Sequence, residues 1–362
     1  ALYSIYTKHP SVVTDTRKLK AGDLYFALKG PNFNGNLFAL AALEAGATAL
    51  GVALLEEAIT LREAGITAPI LAWLVPPGSD FKLAVDNNIE LAASSIKALE
   101  EIGAVKSENR PKVHLEVDTG MTRGGFLAEW DQLNSEHVKE VEIVGIFSHF
   151  ARADEPGEKQ NQDQMARFAE MVAKLESLGF SHLIKHLSNS AATLKNNAAA
   201  FDMVRTGIAI YGLSPDVQTL GSSSALKLRP AMQLRAALYL VKDVPAGTPV
   251  GYGATESTKL DTRLGVVTMG YADGIPRIAR GAGVWHNGKR APIIGRVSMD
   301  QFVVDLGPES KAQSGDWVTI FGNGSHGEYT ADDWGAASQS INYEIVTRIG
   351  PRVPRIYSPH IY

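Results

Sequence analysis

Short apolar runs alternate with amphipathic stretches from residue 22 to about residue 215, and this alternation constrains the fold more than any other feature of the sequence. The apolar runs have the length of buried strands and lie at residues 24–28, 49–54, 69–73, 113–117, 141–147 and 203–210. Apolar residues recur at helical spacing in residues 54–64, 96–102 and 164–178. Because strands and helices alternate, the sequence predicts a parallel α/β architecture, either a barrel or a doubly wound sheet.

Polar side chains near the ends of the apolar runs favour the barrel. Asp118, His149, Asn189 and Arg205 each lie at or near the end of such a run. Barrel enzymes keep their active sites at the carboxyl ends of the strands. We therefore predict a (β/α)8 TIM-type barrel that carries a site at this face.

The sequence changes character beyond about residue 226. Short β-rich segments lie at residues 232–241, 265–269, 284–286, 291–294, 301–306 and 316–321. Turn sequences such as Asn287-Gly288 separate these segments. We therefore predict two domains, an α/β barrel at residues 1–225 and a mostly β C-terminal domain at residues 226–362.

Composition restricts the partners and the compartment. The formal net charge of −4 argues against a nucleic-acid partner or an anionic membrane surface, since both require a basic face. The chain has no cysteine, which excludes disulfides and thiolate metal sites and fits a reducing compartment. No apolar stretch of about 20 residues predicts a membrane span, and no signal peptide is recognisable. We expect a cytoplasmic protein that acts on a small molecule.

Five segments place polar side chains at strand ends or glycine turns, namely residues 144–149, 186–190, 201–212, 251–255 and 298–301. In this order and spacing they resemble the alanine racemases. These are pyridoxal 5′-phosphate (PLP) enzymes built as a barrel followed by a β domain. The resemblance extends from about residue 50 to residue 357, which is most of the chain.

The resemblance implies how PLP is held. Arg205 matches the arginine beside the pyridine nitrogen of the cofactor, and because arginine keeps its proton, that nitrogen stays unprotonated. The backbone amides of Gly207 and Ile208, with the Ser190 hydroxyl, would hold the phosphate. His149 would stack on the cofactor ring. Three further residues match the surroundings of the cofactor: His186, Asn189 and Tyr343.

The same resemblance implies the reaction and the assembly. Racemisation at Cα needs two bases, because a proton leaves one face and returns to the other. In the family one base is a tyrosine matched by Tyr252, which the partner subunit donates, and the other is the lysine that binds PLP. Arg123 matches the arginine that binds the substrate carboxylate. Met299 and Asp300 match residues of the partner subunit that contact the substrate, and Tyr271 matches a residue that lines the entrance to the active site. The expectation is a homodimer with shared sites that interconverts L- and D-alanine for peptidoglycan precursors.

Glu116 departs from the family pattern. Many alanine racemases have a lysine at this position, and that lysine carries a carbamate that orients the substrate-binding arginine. Glu116 offers a carboxylate on a shorter arm and does not need carbon dioxide. We hypothesise that Glu116 replaces the carbamate directly, with a solvated strand-end glutamate as the alternative.

The N-terminal residues 1–47 are atypical for the family. Residues 14–17, 22–30 and 33–35 resemble the N-terminal uridine-nucleotide-binding region of the Mur ligases, although no Gly-Lys-Thr/Ser phosphate loop follows, so ligase activity is not expected. Counting back from residues 41–47 places Lys29 close to the position of the catalytic, PLP-binding lysine of the racemases. Phe33 stands where the family has a tyrosine that bonds the phosphate.

Two other interpretations stay open at this point. One is a racemase for another small amino acid such as serine, because pocket size cannot be read from sequence. The other is an inactive or weakly active PLP-binding scaffold, which the atypical N-terminal residues suggest. An absorbance spectrum of bound PLP would separate the second interpretation from an active racemase.

Overall fold

A computed structural model describes residues 29–30, 33–34, 43 and 47–356 of the chain. The described residues form two compact units that divide between Leu228 and Arg229, except that Gly30 and Phe33 group with the second unit. Strand β1 (Lys29–Gly30) pairs with β2 (Phe33–Asn34). The predicted strand at residues 24–28 and most of the segment that resembles the Mur ligases lie outside the described residues.

Six parallel strands form the sheet in the described part of the first unit, and they pair in the order in which they occur along the chain. The strands are β3 (Leu50–Val52), β4 (Ile70–Ala72), β5 (Glu90–Ala93), β6 (Lys112–Glu116), β7 (Glu142–Phe147) and β8 (Ile184–His186). Sequential parallel pairing with helices between the strands is the arrangement of a TIM-type barrel wall, and the predicted fold class is confirmed.

Between residues 47 and 228, the described chain has seven α-helices beside these strands: α1 (Leu55–Glu63), α2 (Phe81–Asp86), α3 (Ile96–Gly103), α4 (Ser135–Val138), α5 (Lys159–Ser177), α6 (Ser190–Lys195) and α7 (Val217–Leu220). Short 3-10 helices occupy Ala128–Gln132, Asn197–Ala199 and Ile208–Tyr211. Helix α5 buries Phe168, Met171, Val172 and Leu175, whose spacing places one apolar stripe against the sheet. The three predicted helices are thus confirmed, although α5 begins earlier than residue 164.

The predicted strand at residues 203–210 is wrong. This segment makes single backbone hydrogen bonds to the end of β8, such as the one from Arg205 N to Ser188 O, and then forms the 3-10 helix Ile208–Tyr211. A short apolar run does not by itself distinguish a strand from a buried helical turn. The turn ends at Gly212, whose φ of 74° is a left-handed conformation that glycine adopts without strain.

The second unit is an antiparallel sheet of six strands in the order β14-β13-β16-β9-β12-β15. Its strands are β9 (Leu234–Val244), β12 (Thr262–Val267), β13 (Gly283–His286), β14 (Lys289–Pro292), β15 (Phe302–Asp305) and β16 (Trp317–Phe321), with the small pair β10 (Pro249–Val250) and β11 (Glu256–Ser257). Asn287 and Gly288 close the β13–β14 hairpin with positive φ angles of 44° and 85°, as their sequence predicts. Further elements are the 3-10 turns Tyr252–Ala254 and Tyr271–Asp273 and two helices that the sequence reading did not predict, α8 (Ala331–Ala337) and α9 (Asn342–Thr347).

The described residues contain neither a membrane-spanning helix nor a cluster of metal-binding side chains. Within residues 29–30, 33–34, 43 and 47–356, no helix is long and apolar enough to cross a membrane. The same part of the chain has no group of three or more His, Asp or Glu side chains placed to hold a metal ion.

Candidate active site

Arg205 is the centre of a buried polar cluster at the carboxyl ends of β7 and β8. Its Nη1 lies 3.0 Å from His186 Nδ1 and donates to the His186 carbonyl at 2.9 Å. Its Nη2 donates to the carbonyl of Ser148 at 2.7 Å. Since an arginine has only donors, this set of acceptors holds the guanidinium in one plane and leaves its charge in place.

The charge of Arg205 is stabilised by an aromatic face as well as by acceptors. Its Cζ lies 5.3 Å from the centroid of the Phe147 ring, and this ring stacks on His186 at 4.9 Å. Burial lowers the pKa of Arg205 to about 10, an effect that Glu116 opposes and Arg123 reinforces. The Arg205 guanidinium therefore stays protonated near neutral pH and gives the cluster a permanent positive charge.

The two histidines beside Arg205 are neutral. His149 Nδ1 lies 3.5 Å from Arg205 Nη2. Burial lowers the pKa of His149 to about 3, and the charges of Arg205 and Arg123 add to this effect. Burial also moves the pKa of His186 well below its usual value, again with help from Arg205. His149 thus presents a flat, uncharged ring, which suits stacking on another ring.

We expect the His149 ring to show no protonation step between about pH 5 and pH 8, where an ordinary histidine titrates. Because its pKa is lower in the folded chain than in the unfolded chain, the unfolded chain binds more protons between about pH 3 and 6.5. The His149 contribution to stability is therefore lost as the pH falls through that window. NMR of ring nitrogens checks this, and a His149 signal that moves near pH 6.5 would contradict it.

Ser190 and Gly207 form a polar cradle next to Arg205. Ser190 Oγ accepts from the backbone N–H groups of Gly207 at 3.0 Å and Ala209 at 3.4 Å. A β-carbon at Gly207 would meet no heavy atom within 4 Å, so open space adjoins this backbone. Asn189 has a local role, since its Oδ1 accepts from Ala192 N at 3.0 Å and caps α6. Ile208 is buried at the start of the following 3-10 helix.

A loop held by Asp118 carries Arg123. Asp118 Oδ1 accepts from the backbone N–H groups of Gly120, Met121 and Thr122 at 2.8–3.1 Å. This nest of donors fixes the loop that begins at the carboxyl end of β6. Arg123 is exposed and lies close enough to interact electrostatically with the cluster around Arg205. The loop therefore places a second cation beside the first.

Glu116 lies at the end of β6 and faces both cations. Burial raises the pKa of Glu116, whereas Arg123 and Arg205 lower it. Gly124 packs against the carboxylate, because a β-carbon there would lie 3.2 Å from both Glu116 oxygens. A side chain at position 124 would crowd the glutamate, so the glycine leaves room for it.

On the second unit, three residues singled out from the sequence lie on adjoining loops. The backbone N–H of Tyr271 donates to the carbonyl of Ser298 at 3.0 Å, which joins the Tyr271 turn to the loop of Met299 and Asp300. Asp300 pairs with Arg352 at 2.8 Å. Tyr271 and Met299 are 39% and 54% exposed, so this loop pair presents apolar side chains at the surface of the unit.

Tyr252 lies in the 3-10 turn Tyr252–Ala254 and is 70% exposed. Arg296 packs against this turn, since a β-carbon at Gly253 would lie 3.3 Å from Arg296 Nη1. Tyr343 is partly buried on α9. Each unit thus carries its own set of the predicted site residues.

Sequence reasoning missed Gln164, which braces the cluster from α5. Its Nε2 donates to the carbonyl of His149 at 2.9 Å and to Thr119 Oγ1 at 3.1 Å, and its Oε1 accepts from Ala151 N. The sequence does contain a signal for this role, because Gln164 is a polar residue on the apolar side of an amphipathic helix. His114 was missed as well, although a histidine between Val113 and Leu115 in a buried strand is a comparable signal.

The N-terminal domain family of alanine racemases matches residues 25–215, and the C-terminal domain family of alanine racemases matches residues 231–357. The chain belongs to the alanine racemase family. The alanine racemase of Salinispora arenicola is 46% identical to it over 353 residues, covering 94% of this chain and 93% of the relative. The alanine racemase of Frankia casuarinae is 48% identical over 330 residues, covering 88% and 85%.

Solved alanine racemases have the same fold. The crystal structure of the enzyme from Streptomyces lavendulae matches with a TM-score of 0.88 and 41% identity, covering 99% of this chain and 94% of that one. The enzyme from Streptomyces coelicolor matches with a TM-score of 0.86 and 39% identity, covering 99% and 95%. The (β/α)8 barrel and the β domain of the prediction are therefore those of the alanine racemases.

Lys29 falls inside the family match, which begins at residue 25. The backbone of Lys29–Gly30 pairs with Phe33–Asn34, and these two short strands form a sheet of their own rather than an edge of the six-stranded sheet. The run at residues 24–28 that should carry Lys29 at the end of a first barrel strand lies outside the described residues. The assignment of Lys29 stays a prediction.

Proposed function

We propose that this chain is a PLP-dependent alanine racemase that interconverts L- and D-alanine and so supplies D-alanine for peptidoglycan precursors. The observation that carries the proposal is the buried cation Arg205, set among neutral histidines and beside the cradle of Ser190 and Gly207. The family match over both domains supports the same reaction.

The residues of the first unit fit PLP by the chemistry of their donors. A permanently protonated Arg205 suits an unprotonated pyridine nitrogen, which can only accept. The open space beside the α-carbon of Gly207 and the Ser190 hydroxyl suit an anionic phosphate. The neutral ring of His149 suits stacking on the pyridine ring. When bound, PLP supplies the electron sink that makes the Cα–H bond of alanine acidic.

The remaining chemistry is proton transfer at Cα. One base removes the proton from one face and a second base returns a proton to the other face, which inverts the centre. We assign these roles to Lys29 and Tyr252, with Lys29 also as the residue that binds PLP. Arg123 would bind the alanine carboxylate, oriented by Glu116. Tyr343 would contact the cofactor, and Asn189 would complete its shell.

We propose that the working form is a homodimer with shared sites. The exposed Tyr252 turn and the exposed loop pair of Tyr271 and Met299 support this, since the family resemblance places these side chains in the partner's site and each of them is accessible at the surface of its unit. Asp300 would contact substrate with Met299. A cytoplasmic location fits the absence of cysteine.

The proposal is tested by incubating the purified protein with PLP and either enantiomer of alanine. We expect each enantiomer to be converted to the racemate, serine to react more slowly, and PLP to stay bound through desalting with a visible absorbance band. Bound PLP without racemisation would favour the inactive scaffold that the atypical N-terminal residues suggest. If serine is racemised faster than alanine, the protein is instead a racemase for another small amino acid.

Replacing Tyr252 with phenylalanine is expected to lower racemisation from L-alanine by about 10²–10⁴-fold, the contribution of one positioned base. Exchange of the D-alanine α-proton with solvent deuterium should be affected less, because the other base still acts on that face. Proton exchange measured from each enantiomer checks this. Tyr239→Phe, at a tyrosine of β9 that is also 70% exposed, is the matched control. Equal small effects in both directions would contradict a two-base role for Tyr252.

Replacing Glu116 with glutamine is expected to raise KM for alanine more than it lowers kcat, because the amide loses the charge that orients Arg123. Steady-state kinetics with and without added bicarbonate check this. Wild-type activity should not depend on bicarbonate, since Glu116 needs no carbamate. An unchanged KM in Glu116→Gln would leave Glu116 as a strand-end residue with no part in orienting Arg123.

A further inference from the structure

Arg205 is one end of a line of four hydrogen-bonded side chains, and Glu90 is the other end. From Arg205 Nη1 the line passes to His186 Nδ1 at 3.0 Å, from His186 Nε2 to His114 Nδ1 at 2.9 Å, and from His114 Nε2 to Glu90 Oε2 at 2.9 Å. His114 and His186 are 1% and 0% exposed, whereas the Glu90 side chain is 15% exposed. Glu90 begins β5, at the opposite end of the sheet from Arg205.

The hydrogen-bonding chemistry at both ends of the line determines which nitrogen of each histidine carries the proton. Arg205 can only donate, so His186 Nδ1 accepts and the proton of His186 is on Nε2. His186 Nε2–H then donates to His114 Nδ1, which leaves the proton of His114 on Nε2. That proton is donated to the carboxylate of Glu90. Every hydrogen bond in the line therefore points from the cation to the anion, and both histidines are neutral.

A glycine makes the middle of the line possible. Gly145 of β7 pairs with His114 on one side and with Ile184 on the other. A β-carbon at position 145 would lie 2.1 Å from His114 Nδ1, so no other residue leaves room for the ring to reach His186 across β7. The glycine serves this close approach, since its neighbours in β7, Val144 and Ile146, are ordinary apolar strand residues.

Arg62 lies near the Glu90 end of the line. Arg62 donates to the carbonyls of Ile66, Ala68 and Asn87 at 2.7–2.9 Å, and its charge interacts with Glu90. The charge of a carboxylate strengthens the hydrogen bond that it accepts from a histidine, and aligned bonds reinforce each other in a buried line. Arg205 has an alternative to this line, because Nη1 also donates to the His186 carbonyl at 2.9 Å.

We propose that Glu90 is a positioning residue for Arg205, which it orients from the far end of the sheet by fixing the protons on His114 and His186. Without Glu90, His114 Nε2–H loses its acceptor. Arg205 Nη1 can then keep its bond to the His186 carbonyl alone and release His186 Nδ1, and both histidines become free to exchange tautomers. The inference rests on the proposed function only for the effect on catalysis.

The test compares Glu90→Leu and Glu90→Gln with wild type and with Glu142→Gln, a control at the exposed first residue of β7. NMR of histidine-labelled, PLP-loaded protein reports the tautomers. Wild type and Glu142→Gln should show His114 and His186 as single Nε2–H forms. Glu90→Leu should show mixed tautomers of His114 and His186 and a shifted absorbance band of bound PLP. We also expect kcat to fall about tenfold with little change in KM, which is the usual size of the effect when a carboxylate that orients a functional histidine is removed.

Glu90→Gln keeps an oxygen acceptor and loses the charge. We expect Glu90→Gln to move the His114 Nε2 proton resonance upfield, because the hydrogen bond becomes weaker. The tautomer mixture, the absorbance band and kcat should change in the same direction as in Glu90→Leu, but to a smaller extent. If Glu90→Leu does not fold, Glu90→Gln decides the matter, and a glutamine variant indistinguishable from Glu142→Gln would overturn the proposal. If wild type racemises nothing, the NMR spectra still decide it, so failure of the function and failure of this inference are distinguishable.

Discussion

Replacing Arg205 with glutamate is expected to lower the racemisation rate by about 10²–10³-fold, which is the usual cost of removing a preorganised charge from an active site. The new carboxylate would face the carbonyl oxygens of Ser148 and His186, which now accept hydrogen bonds from the guanidinium. We also expect the absorbance spectrum of bound PLP to change, because the pyridine nitrogen would face an acid in place of a permanent cation.

The same replacement should lower the free energy of unfolding by about 3–5 kcal/mol, since it leaves buried groups without their partner. Urea denaturation measures this, with Arg205→Lys as the control. Lysine keeps the charge but cannot reach His186 and Ser148 together, so we expect a smaller loss of stability and an intermediate rate. An Arg205→Glu protein with the spectrum and rate of wild type would remove Arg205 from the cofactor site.

Replacing Lys29 with alanine is expected to reduce racemisation by more than about 10²-fold, because it would remove both a base and the covalent attachment of PLP. Borohydride reduction of the PLP-loaded wild type should fix a phosphopyridoxyl group on Lys29, and peptide mapping by mass spectrometry checks this. Lys29→Ala should still bind PLP through the Arg205 cluster but without the same visible band.

Lys20→Ala, in the same N-terminal segment, is the matched control and should keep its activity. A label on another lysine would show that the base comes from elsewhere in the chain. A label on no lysine, together with an inactive wild type, would support the inactive scaffold.

Three residues that the sequence assigns to the cofactor site have a local signal, and the structure places them near one another, while their roles toward PLP stay predictions. His149, Ser190 and Arg205 stand at strand ends or next to glycine, and those positions have a defined place in a barrel. Tyr252 and Met299 were assigned through the family resemblance, and their roles also stay predictions; the structure adds that both side chains are exposed. Asn189 was assigned to the cofactor, and the structure shows a helix cap, so its cofactor role stays a prediction.

Other features could not be predicted because they depend on contacts between distant segments. The run at residues 203–210 has the composition of a strand, yet its Arg205 turns inward to the carbonyls of His186 and Ser148 and its backbone forms a turn. Gln164 looked like the first residue of a helix, and only the packing of α5 shows that it braces His149.

The sequence by itself determined the α/β class, the β-rich second part and the residue types at the strand ends, because apolar period and turn residues act over a few positions. Tertiary structure alone decided which side chains meet. Glu90 and His114 are 24 residues apart and His114 and His186 are 72 apart, yet each pair is hydrogen-bonded at 2.9 Å. Parallel strands lie about 4.8 Å apart, so neighbouring strands bring such residues into contact, and Gly145 lets the line pass across the strand between them.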